Sequence, residues 1–204
     1  MKRLIIILTL MIVSLSLFAE GTEGSNGSSN VIGIPAKATV TFNLKSDGQT
    51  DGAFKFVAGF TNDNSAVKSE KAPALDAVTP TTSFEIKDIV TVEDKNVGQL
   101  SERAYVYWII AGNKNVKIAL DAPNKMKGST EGSELGLTTE ITDSKDRGSE
   151  NTNRSLANIF TQGTDDAFNW GYAQLKFTTG DLAATNLKAD SYKAELTLNI
   201  ISSK

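Results

Sequence analysis

The chain has 204 residues, with 21 basic and 24 acidic side chains and a formal net charge of −3. It contains no cysteine and no histidine. Disulfides, thiolate metal sites, Ser-His-Asp and Cys-His catalysis, and the commonest metal ligand are therefore excluded together. A mildly acidic surface gives no reason to expect nucleic acid or anionic lipid as a partner.

Residues 1–19 carry the pattern of a cleaved export signal. Lys2 and Arg3 form a basic start, Leu4 to Phe18 an apolar stretch, and Ala19 a small residue before the expected cut. The apolar stretch is shorter than the ~20 residues a spanning helix requires, and no later segment could span a bilayer. "EGTEGSNGSSN" (20–30) has linker composition.

The next run, "VIGIPAKATVTFNL", alternates over a long distance. Ile32, Ile34, Ala36, Ala38, Val40, Phe42 and Leu44 share one parity, and Lys37, Thr39, Thr41 and Asn43 the other. Pro35 has no N–H for a ladder and divides the run into a short segment ending at 36 and a first domain strand at about 37–45. Further strands are predicted at "AFKFVAGF" (53–60), "TSFEIKDIVTVE" (82–93), "RAYVYWIIAG" (103–112), "VKIAL" (116–120), "LGLTTEI" (135–141), "AFNWGYAQLKF" (167–177) and "SYKAELTLNI" (191–200). "RAYVYWIIAG" is apolar on both parities, as in a central strand covered on both faces. With the turn "GNKN" it is expected to form a hairpin with "VKIAL". "DAPNKMKGSTEGSE" (121–134) and "TDSKDRGSENTNRS" (142–155) read as polar loops, and "LANIF" (156–160) as a short strand or helical turn. No window has helical spacing. Several short alternating strands between polar turns predict an all-β sandwich or barrel, most simply in one domain spanning 37–204.

Candidate chemistry is sparse. Asp165 and Asp166 stand beside Trp170 and Tyr172, but neighbours on a strand point to opposite faces, which suits a solvated turn better than a carboxylate pair. "SDGQTDG" and "TNDNS" are oxygen-rich, yet neither has the spacing of a calcium loop with its liganding Glu at position twelve. Trp108 and Trp170 lie within strand patterns and read as core. No catalytic, cofactor or metal residue is expected, and a non-enzyme is the better reading.

Three segments carry a resemblance to a known family. "IPAKATVTFNL", "VKIALDAPNKM" and "LKADSYKAELTLNI" are similar in character to the N-terminal stretch, the central strand-and-loop unit and the closing strand of bacterial fimbrial subunits of the alternate chaperone–usher type. The resemblance implies an Ig-like antiparallel β-sandwich on the bacterial surface that polymerises with itself by donor-strand exchange. A periplasmic chaperone and an outer-membrane usher would be its assembly partners. Carried onto this sequence, residues 20–36 hold the linker and donor, with Ile32, Ile34 and Ala36 as plugs. Tyr192, Leu196 and Leu198 would line one wall of the receiving groove. Whether the N-terminal strand is lent to a neighbour or used within its own chain stays open. The rival expectation is a monomeric surface sandwich whose loops at 121–134 and 142–154 bind a glycan or host protein.

Overall fold

The computed structural model describes residues 37–46, 55–67, 78–92, 97–112, 115–147, 149–150, 153–162, 168–182 and 187–203. These all belong to one unit that spans residues 31–204. The expected export signal, the linker, the plugs Ile32, Ile34 and Ala36, and the pair Asp165 and Asp166 lie outside the described residues.

The elements in chain order are β1 (Lys37–Ser46), β2 (Lys55–Thr61), a single helical turn α1 (Asn64–Val67), β3 (Ser83–Glu85), β4 (Asp88–Val92), β5 (Val97–Ala111) and β6 (Asn115–Asp121). They continue with β7 (Lys125–Gly128), β8 (Glu134–Asp146), β9 (Ser149–Glu150), β10 (Phe160–Gln162), β11 (Phe168–Thr179) and β12 (Ser191–Ser203). The protein is an all-β sandwich. Its first layer runs β3, β1, β12, then β6 and β7 end to end, with β10 outside β6. Its second layer has β5 and β11 at the centre, β2 and β4 along the far edge of β5, and β8 with β9 beyond β11. The start of β8 pairs with β7 in the first layer and the remainder with β11 in the second, so one strand links the two layers.

Period-2 alternation explains the core. Ala38, Val40 and Phe42 of β1, Val116, Ile118 and Leu120 of β6, and Tyr192, Ala194, Leu196, Leu198 and Ile200 of β12 face inward from the first layer. Val106, Trp108 and Ile110 of β5 and Ala173, Leu175 and Phe177 of β11 meet them from the second. The opposite parity of β5 and β11 is covered too. Tyr105, Tyr107 and Tyr172 pack with Val67 and Val78 in a smaller outer cluster. This is the double coverage that the apolar sequence of β5 predicts. Trp108 is fully buried, whereas Trp170 is only partly buried on the outer face, beside the exposed Phe168. At one end of the core, the Arg154 guanidinium pairs with Asp146 and lies 5.2 Å from the ring centre of Trp108 and 5.5 Å from that of Phe160. Burial lowers the Arg154 pKa to about 10.

Four expectations are corrected. First, β5 and β6 do not form a hairpin. Both edges of β5 are already taken by β11 and by β2 and β4, so the chain leaves through Gly112 (φ 131°) and crosses to the other layer. Second, the loop expected at 121–134 contains β7, which forms a hairpin with β8 around 129–133 and buries Met126 completely. Third, the polar run at 142–155 begins as five more residues of strand. Ser144 is buried on β8, and the chain reverses at Arg147 (φ 48°) into β9. Fourth, the run 82–93 is two strands in different layers, β3 against β1 and β4 against β5.

Candidate functional site: the slot beside β12

β12 opens with a turn that its own tyrosine ties down. The Tyr192 hydroxyl donates to the Lys188 carbonyl at 2.8 Å and accepts from the Lys188 N–H at 3.2 Å. A tyrosine bonded back to the chain a few residues upstream is the corner motif of Greek-key sandwiches. It fixes where β12 begins and turns the Tyr192 ring into the core.

From there β12 has one edge on β6 and β7 and the other on β1. The β1 ladder is parallel and continuous from Lys37 opposite Ser191 to Ser46 opposite Ile200. Every other ladder among the described strands is antiparallel. The predicted wall residues are brought together here: Tyr192, Leu196 and Leu198 stand in register with Ala38, Phe42 and Leu44, and all three are buried. The slot along β12 is thus occupied by the chain's own β1.

The other side of the slot is narrower. β3 pairs with β1 only from Thr39 to Thr41. Beyond it, the Phe42 N–H donates to the Thr82 carbonyl at 2.9 Å, and the Thr81 N–H donates to the Phe60 carbonyl at 2.7 Å. Residues 81–82 therefore staple β1 of one layer to β2 of the other.

Phe42 is the anchor that the sequence stripe does not single out. Its ring stacks on Phe60 at 3.8 Å between centroids and also meets Phe84 and Phe177 at 5.3 and 6.2 Å. It shares the parity of Ile32, Ile34 and Ala36. The only sequence clue to its role is its size, since an aromatic side chain contributes the largest area to a strand pocket. Two residues on, Leu44 has core parity yet is 54% exposed.

The ladder begins, among the described residues, with Lys37 opposite Ser191, the first residue of β12. Among the described residues no helix is long and apolar enough to cross a membrane, and no cluster of acidic side chains could hold a metal ion. No protein-family model and no curated protein matches the chain.

Proposed function

We propose that this protein is an exported, non-catalytic structural subunit that joins copies of itself by exchanging its N-terminal strand. The observation that carries the reading is the parallel β1–β12 ladder at the chain's N-terminal side. Parallel pairing is slightly less stable per residue than antiparallel pairing. The slot itself cannot stay empty. Removing β1 would leave the β12 edge unpaired and expose Leu196 and Leu198, and burial of Val40 and Phe42 is worth about 1.5–3 kcal/mol each. A second copy can supply the same side chains through its own N-terminal stretch. Ile32, Ile34 and Ala36 continue the parity of the buried Ala38, Val40 and Phe42 and would extend the lent strand. Exchange of this kind is strand addition, in which backbone bonds give affinity and alternate side chains fill pockets.

Deletion of residues 20–36 tests the reading. The intact protein, concentrated and warmed, is expected to give a ladder of discrete oligomers by size exclusion with light scattering. The deletion variant keeps β1 but loses the extension that Ile32, Ile34 and Ala36 would give the lent strand, so its oligomers should be markedly fewer. Identical profiles for the two proteins, or a strictly monomeric intact protein, would end the proposal.

A further inference from the structure

We infer that the lysine-lined trough on the outer face of the first layer binds an acidic saccharide, holding a sulfate or carboxylate carried on a sugar ring. The trough comes from a break in the sheet. β12 pairs with β7 at Tyr192 and Lys193 and with β6 from Thr197 onward. Between these, Ala194, Glu195 and Leu196 have no register partner on that side, because the chain bows out at Pro123. Over the gap lies a concavity of about 530 Å³ lined by Pro123, Lys125, Lys127, Ser129, Ser191 and Lys193, among others. It adjoins a second hollow that shares Pro123 and Glu195 with it.

The charge arrangement points to an anion. Lys127 and Lys193 are directly opposite each other across the β7–β12 ladder, and both are exposed. Like charges in that relation are destabilising. Lys37 is diagonal to Lys193 on the same outer face, and Lys125 is two residues from Lys127. Four lysines therefore gather on three adjacent strands of a protein with net negative charge. Two are partly neutralised, Lys125 by Glu134 at 2.5 Å and Lys193 by Glu195 at 3.1 Å. Lys37 and Lys127 make no ion pair among the described residues. The nearby carboxylate of Asp190 is committed to the adjoining turn, where it accepts from the Thr130 and Ser191 N–H groups at 2.8 and 2.7 Å.

The volume is compatible with an anion carried on a larger group. A half-open hollow of this size has room for a sulfate or carboxylate together with one or two of the sugar rings that carry it. The exposed Ser191 stands at the rim, where its hydroxyl can meet ring hydroxyls, and Pro123 offers an apolar surface. The hollow is lined by β7, β12 and the turns beside them; of the four lysines only Lys37 sits on β1, where a strand lent by a neighbour would supply the same residue.

Calorimetric titration of the purified protein with a heparin-derived tetrasaccharide, with sialyllactose and with neutral lactose tests the inference. At least one acidic sugar is expected to bind, more weakly as salt rises, and lactose should not. Lys127→Gln and Lys193→Gln are expected to weaken binding at least tenfold. Lys127→Glu should abolish binding while raising the melting temperature, because it replaces a repulsive pair with an attractive one. Opposite movement of affinity and stability separates loss of a site from loss of folding. The inference is overturned if neither acidic sugar binds, if both glutamine variants bind like the parent, or if Lys127→Glu lowers the melting temperature. It is also overturned if a peptide of residues 20–30, with its two glutamates, binds more tightly than the sugars.

Discussion

β1 and β11 both bury a phenylalanine in the same core, yet they are held differently. β11 lies between two long antiparallel neighbours, β5 from Phe168 to Thr178 and β8 from Gly171 to Thr179. β1 has one parallel neighbour along its length and, on its other side, the three-residue ladder of β3 flanked by single bonds from Ile86 to Ala38 and from Phe42 to Thr82. Phe177 and Phe42 even touch across the sandwich. The two strands meet in one core, but β11 is buried on both faces and paired along both edges, whereas β1 is buried on one face and paired fully along one edge. The lesson is that side-chain packing decides what fits the slot, while the ladders decide which strand can leave it.

The largest expected effect comes from breaking the permanent side. Trp108→Ala, at a fully buried position of β5 facing β11, should cost about 3–5 kcal/mol in urea unfolding and lower the signal of every probe together. Phe42→Ala removes a comparable ring, but its loss should fall short of that range. Local detachment of β1 limits what a defect in that strand can cost. Equal losses at the two positions would erase the contrast. Next, Gly171→Ala on β11 should cost about 1–3 kcal/mol by overpacking. A Cβ there would collide with the Lys145 carbonyl and stand 2.7 Å from Trp108 Cζ2.

Hydrogen exchange sharpens the comparison without mutation. Amides of Val40 and Phe42 should exchange ahead of those of Ala173 and Leu175, through a local opening that denaturant hardly affects. Simultaneous exchange of the two sets would mean that β1 leaves only when the whole sandwich unfolds.

The smallest effect concerns acid. The Asp190 carboxyl is held at about 2, below its ordinary 3.8, chiefly by the Thr130 N–H and also by the Ser191 N–H. The unfolded chain therefore binds this proton more readily. The contribution is present above pH 3.8 and is lost as pH falls toward 2. Asp190→Asn should flatten the fall in stability between those values, measured by urea midpoint against pH.

What could be read from the sequence follows from what alternation encodes. It reports which side of a strand is buried, so β1, β2, β11 and β12 were legible to within a few residues, as was the two-faced burial of β5. It does not report partners. Residues 103–120 contain two strands and a turn, which is also what a hairpin contains. Nothing local says that β5 has both edges spent elsewhere. β7 escaped notice because only Met126 points inward among polar neighbours, and the end of β8 because its outward positions, such as Thr142 and Asp143, are as polar as a loop. At the site, the parity of Tyr192, Leu196 and Leu198 was legible and places all three inside. The parallel direction of β1 was not, because it depends on two segments about 150 residues apart. The lysine trough was equally hidden, since Lys127 and Lys193 become neighbours only through the β7–β12 register.

The direction of that ladder has a mechanical consequence. In a parallel pair, the N-terminal end of β1 and the C-terminal end of β12 lie at opposite ends of the ladder. Tension drawing those two ends apart would load the pair in shear, along its length. The bonds from Lys37 to Ser46 would have to slide together instead of opening one after another. A strand that thermal motion can release more readily than its neighbours is thereby placed where a steady pull finds it hard to move.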